Sequence, residues 1–238
     1  MKQTTQSMNI VDMLIVTVIF FGMPIYTSLS QFFLLQEGAV AITDTLTFTD
    51  QDNIWAILIE LISLAIAAVY LKLRRFDFTQ LTFSFNAKAI VLTAGIILIA
   101  GSLSELYFYL AAPFQDAGAY LTSAEVAPTD TTSTLSFYLV LFSLLNGFFE
   151  EVFFLGLIFA VNKKALPYAI VFSLVIRFLF HTYQGMFYAV NVLLFGIVLL
   201  ILRSKIKNLL PFTLAHAFFD VFGLGLLPII DIVEKIIK

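Results

Sequence analysis

The chain of 238 residues contains no cysteine, a single tryptophan and two histidines, and only 12% of it is charged. Without cysteine there is no disulfide, no thiolate metal site and no sulfur nucleophile. Any metal would have to be held by histidine and carboxylate. The net charge of −3 creates no field that would gather nucleic acid. Low charge also decides the class of molecule. A soluble domain has about a quarter charged residues, whereas 61% of this chain is hydrophobic and its mean hydropathy is +0.99. Its 27 phenylalanines would leave large sticky patches on any surface facing water. The expectation is an all-α, polytopic transmembrane helix bundle, a single integral membrane domain over residues 1–238. There is no internal repeat, no glycine-rich phosphate cradle and no second soluble domain.

Apolar runs near 20 residues mark helices that cross roughly 30 Å of hydrocarbon at about 1.5 Å per residue. About seven are predicted, over residues 9–35, 54–73, 88–111, 135–162, 167–184, 186–203 and 209–229. The first lacks both a substantial basic region and a small-residue cleavage site, so it reads as a retained helix and not as a signal peptide. Lysine and arginine set the orientation. Lys72, Arg74, Arg75, Lys88, Lys163, Lys164, Arg203, Lys205 and Lys207, accompanied by the single acid Asp77, mark the inner connections. Segments 36–53 and 112–134 carry acids but no basic residue and are assigned outside. The second of these reads as a mobile outer loop. The terminal "DIVEKIIK" reads as a short amphipathic helix on either surface.

An ionisable side chain inside a span costs on the order of 3 kcal/mol to insert, so its position carries information. Glu60 stands alone in the second span and, like Asn191 further on, reads as interhelical glue. The remaining costly residues concentrate late in the chain: Glu150, Glu151, Arg177, His181, His216 and Asp220. Intervals of four place Asn146 with Glu150, Arg177 with His181, and His216 with Asp220 on shared helix faces. Three helices are thus expected to turn a polar stripe inward, with the intervening phenylalanine pairs toward lipid or packing. Neighbouring Glu150 and Glu151 diverge by about 100° on a helix. One should point into the site; the other should pair with Arg177 or brace the first.

Carboxyl groups among apolar neighbours resist ionisation, which suits them to act as general bases near neutral pH. An imidazole can hold the same water or donate to an oxyanion, and an aspartate one turn from an imidazole fixes its tautomer. These are the parts of a hydrolase. Two histidines and a glutamate, here Glu150, His181 and His216, can also bind zinc and leave a fourth position for water. Spacing leaves both modes open.

The three motifs resemble those of the CPBP intramembrane endopeptidases, a family that includes CAAX prenyl proteases, abortive-infection-like (Abi) proteins and bacteriocin-processing or bacteriocin-immunity proteins. The family pattern is E-E-x-x-x-R on one helix, commonly F-x-x-x-H on the next and H-x-x-x-N/D on a later one. This chain offers "EEVFFL" at 150–155, "RFLFHTYQG" at 177–185 and "HAFFD" at 216–220. The resemblance covers about residues 135–225, a family-like catalytic helix core. It implies an intramembrane endopeptidase acting on a membrane-associated peptide or protein. Glu150 would be the base, Glu151 its brace, His181 the water ligand, His216 the oxyanion donor and Asp220 its orienting partner, with Asn146 and Arg177 in support. The cofactor it implies is none or zinc. Partners are the peptide substrate and lipid, with no nucleic acid, and the expected location is a bacterial cell membrane.

Two departures from the pattern bear on activity. Leu155 stands where the motif has arginine, and Arg177 stands where phenylalanine is common. The expectation is compensation, with Arg177 supplying from the fifth helix the cation that the family takes from the fourth. The alternative is a non-catalytic immunity or regulatory protein of the same family. A transporter with an intramembrane proton relay would also bury such groups, but it predicts paired repeats or broken helices in two halves, and the sequence has neither.

Overall fold

The computed structural model describes residues 8–41, 48–114 and 136–226. The outer loop expected at 112–134 lies almost wholly, and the "DIVEKIIK" segment wholly, outside the described residues. Among the described residues the chain is all-α, with seven α-helices: α1 Ile10–Gln36, α2 Asp50–Leu73, α3 Ala87–Ala111, α4 Phe137–Glu151, α5 Leu166–Phe180, α6 Gly185–Arg203 and α7 Leu210–Phe222. The helix starts follow from local chemistry. Asn9 with Asp12 and Thr49 with Asp52 form reciprocal capping boxes at α1 and α2. Proline opens α5 and α7, where its missing N–H costs nothing.

Among the described residues five helices are long and apolar enough to cross a membrane; α5 and α7, at 15 and 13 residues, are shorter apolar helices. Seven full spans were expected, and the shortening has local causes. Helix α5 stops at Phe180 because His181 leaves helical geometry, a turn Thr182–Gln184 follows, and Gly185 adopts φ 80°. Helix α7 stops at Gly223, whose φ of 83° suits only glycine. Both ends deliver polar residues to the middle of the bundle instead of carrying them across it.

Helix α4 is the hub. It packs against α2 and α7, α3 also packs against α7, and α1 packs against α5. Of the most apolar stretch of α4 and its extension, 67% is buried, against 39% or less in the other four spans. Phenylalanines fill the surrounding space: Phe20 stacks on Phe149 at 4.5 Å between ring centroids, and Phe21 meets Phe153 at 4.9 Å and Phe154 at 5.0 Å. Of the pair between Asn146 and Glu150, Phe149 faces this packing and Phe148 is exposed. The lipid-facing side belongs to residues such as Ile62, Ile66 and Val69 of α2, which are exposed. At one end of the bundle Arg74 donates to Asp12 at 2.7 Å, tying α2 to α1. That hydrogen bond raises the pKa of the guanidinium. At the opposite end of α2, Ser136, the cap of α4, donates to Asp50.

The crossing of α4 over α7 is set by Gly147. A Cβ there would lie 2.5 Å from the carbonyl oxygen of Thr213 and 2.9 Å from the nitrogen of Ala217. The two backbones therefore touch, as small residues permit in membrane bundles. Gly147→Ala is expected to force them apart and cost about 1–3 kcal/mol, read as a lower melting temperature in detergent. Gly95→Ala on α3, where no described atom lies within 4 Å of the added carbon, should leave stability unchanged or raise it.

Candidate active site

Close contact at Gly147 places the last turn of α4 beside His216, the residue before Ala217. His216 donates from Nδ1 to Glu151 Oε1 at 2.6 Å. Its Nε2 lies 3.7 Å from Glu150 Oε1 and 3.5 Å from Asp220 Oδ1. Arg177 reaches in from α5 and donates from Nη2 to Glu151 Oε1 at 2.8 Å, while its Nη1 stands 3.6 Å from Glu150 Oε2. Both carboxylates reach the cluster, and Glu151 pairs with Arg177, the part expected of the glutamate that does not point straight into the site. The hub position of α4 explains this, since protein surrounds it and two long side chains can bend to one centre. Glu150 and Glu151 are 2% and 0% exposed, which makes an unneutralised pair untenable.

Beyond Glu151 the helix widens. Residues Val152–Leu157 form a π-helical turn, a distortion frequent at functional sites. Leu155 is fully buried in the core, and its carbonyl accepts a hydrogen bond from Arg203 Nε at 2.8 Å. No cation stands at the motif position, and Arg177 meets the carboxylates from the neighbouring helix. Its guanidinium lies 4.1 Å above the ring of Phe154. A Cβ on Gly196 of α6 would come within 2.6 Å of Arg177 Cδ, so the missing side chain is what admits the arginine stem.

His181 is the cap of α5. Its Nδ1–H donates to the carbonyl of Arg177 at 2.8 Å, which leaves Nε2 as the acceptor in a neutral ring. It interacts electrostatically with Arg177 and His216, and no hydrogen bond joins it to a carboxylate among the described residues. The turn after it is anchored to α1: Tyr183 N–H donates to Ser28 Oγ at 2.9 Å, and Ser28 Oγ lies 3.1 Å from Thr182 Oγ1. Asn146 donates to Asp220 Oδ2 at 2.9 Å. It therefore braces the aspartate on α7 and not Glu150 one turn ahead. Likewise the nearest partner orienting His216 is Glu151, with Asp220 second.

Among the described residues one group could hold a metal: Glu150, Glu151 and His216, with ligand atoms all within 4.8 Å of one another. This differs from the set Glu150, His181 and His216 considered from the motifs. The fit is poor. Glu151 Oε1 is already bound by Arg177 and His216, and a divalent ion would sit beside a permanently charged guanidinium.

With that geometry in view, the comparison with known families bears on the helices that carry it. Residues 132–222 match the family of Type II CAAX prenyl endopeptidase Rce1-like proteins. That stretch is Rce1-like. No curated protein and no solved structure matches the chain. The Rce1-like stretch contains all three motifs on which the CPBP resemblance was read, together with Leu155 and Arg177. Helices α1 to α3 lie outside it. Ser28 and Gly196 escaped notice in the sequence, and Arg203 was placed only in an inner connection. Ser28 and Gly196 carry no pattern of their own, while Arg203 looked like an ordinary inner-loop cation. Gly196→Ala should displace Arg177 and lower thermal stability by about 1–3 kcal/mol, and the loss should shrink when Arg177 is also replaced by leucine.

Proposed function

We propose that this protein is an intramembrane endopeptidase in which Glu150 activates water without a metal. The observation that supports this reading is the unequal engagement of two adjacent carboxylates. Glu151 accepts two close hydrogen bonds on one oxygen. Oε2 of either carboxylate accepts none from any described residue, but the nearest cationic atoms to Glu150 stand at 3.6 and 3.7 Å, beyond hydrogen-bond distance. A locked carboxylate is a brace; an under-engaged one has a lone pair for a water proton. His181 Nε2 is a lone pair for the same water.

In the proposed reaction the water oxygen attacks the scissile carbonyl carbon while Glu150 takes one of its protons. The carbonyl electrons move onto oxygen, and that oxyanion accepts a hydrogen bond from His216. Glu150 then passes the proton to the departing amine as the C–N bond breaks. Asp220 and Glu151 hold the imidazole, and Arg177 holds Glu151 still. The substrate is a membrane-associated peptide or protein, and the setting is a bacterial cell membrane. The family alternative, a non-catalytic immunity or regulatory role, draws on the buried Leu155 at the motif position.

The test is cleavage of membrane-associated peptides by purified protein in liposomes, with and without chelator. Glu150→Gln should lower kcat by about 10²–10⁴-fold at an unchanged melting temperature, and chelator should change nothing. Full activity in Glu150→Gln, or loss of activity on chelation alone, would defeat the mechanism. No cleavage by wild type alongside a retained immunity phenotype would favour the non-catalytic reading.

A further inference from the structure

Helix α1 lies outside the Rce1-like stretch, and no step above uses it. It packs nonetheless against α5 and against the turn Thr182–Gln184 that follows His181. Part of that contact is polar. Ser28 of α1 is 2% exposed, and its hydroxyl meets the turn. Proton counting fixes the direction of each hydrogen bond there. Thr182 has one hydroxyl proton and donates it to the carbonyl of Leu179 at 2.9 Å. Ser28 is therefore the donor across the 3.1 Å to Thr182 Oγ1. Its own oxygen accepts the N–H of Tyr183 at 2.9 Å. One buried hydroxyl thus engages both residues that follow His181.

His181 needs such support, because it closes α5 outside helical geometry, at φ −105° and ψ 2°. Two rings flank its imidazole: Phe180 at 4.0 Å between centroids, and Tyr183 at 6.4 Å and 21° from parallel. Helix α1 backs both. Phe21 packs on Phe180 at 4.8 Å. Ser28, seven residues further along α1 and so on the same face, grips the backbone of Tyr183. The Nδ1–H of His181 is committed to the carbonyl of Arg177 at 2.8 Å, so the direction of Nε2 follows the placement of this turn.

We propose that Ser28 is a positioning residue: it clamps the Thr182–Tyr183 backbone so that the His181 imidazole keeps one orientation, with Nε2 free to hold the water of the proposed reaction. The role in hydrolysis rests on the reading above; the clamp on the imidazole does not.

The experiment uses the full chain in liposomes with ring-labelled histidine. The chain has two histidines, so the nitrogen NMR spectrum contains two ring systems, which His181→Gln assigns. Wild type should show His181 as a single tautomer protonated at Nδ1. Ser28→Ala should broaden or double the His181 signals and lower kcat by about 10–100-fold at a little-changed KM. Thr182→Val cuts the same link from the other side. It should act like Ser28→Ala and add little to it in the double variant. Ser30→Ala removes an exposed hydroxyl that donates within α1, to the carbonyl of Tyr26, and should change neither readout. An unchanged His181 spectrum in both Ser28→Ala and Thr182→Val would overturn the proposal, as would a changed spectrum with wild-type kcat, or the same changes in Ser30→Ala. If the wild type cleaves no peptide, the hydrolase reading falls while the spectrum still decides the clamp.

Discussion

A guanidinium buried against a carboxylate decides what this site can be. Two adjacent glutamates in the central helix of a membrane bundle cannot both stay there as bare charges. Arg177, 2.8 Å from Glu151 and 3.6 Å from Glu150, meets that demand. Several other features exist to seat it. Gly196 leaves room for its stem, Phe154 offers its ring to the guanidinium, and the carbonyl of Arg177 holds His181 in turn. The same interaction divides labour between the glutamates, since Glu151 accepts two close hydrogen bonds while the cationic atoms nearest Glu150 stand at 3.6 and 3.7 Å.

Much of this was legible in the sequence. Composition alone specifies a lipid-soluble helical bundle, because no soluble surface could carry so little charge. The spacing of four within "RFLFH" and "HAFFD" brings Arg177, His216 and Asp220 onto inward faces, and the insertion cost of a lone arginine points to a carboxylate partner. The match of residues 132–222 to Rce1-like proteins agrees with the family read from those motifs. What periodicity misses is where helices stop and how closely they cross. Positive φ at Gly185 and Gly223 truncates two expected spans, and a glycine's conformation is not written in its neighbours' hydropathy. Gly147 reads as one small residue among phenylalanines until Thr213 is seen 2.5 Å from its would-be Cβ.

The partners of polar residues were harder still. Asn146 sits one turn before Glu150 and so seemed its natural support, yet a facing helix offers Asp220 at 2.9 Å. Glu60, alone in its helix, reads as interhelical glue, and nothing in its own helix names the residues of α4 and α7 that act on it electrostatically. Sequence spacing reports neighbours on one helix; a membrane site is assembled across helices, and the close crossing of α4 and α7 determines which side chains meet.

The central claim is that Arg177 is held in the bundle by Glu151. A double-mutant cycle by thermal unfolding in detergent, with Arg177→Met, Glu151→Gln and the two combined, measures it most directly. Either single change should cost about 3–5 kcal/mol by leaving a buried charge unpaired. The double variant should cost much less than the sum. Additive losses, or an Arg177→Met protein as stable as wild type, would contradict the claim.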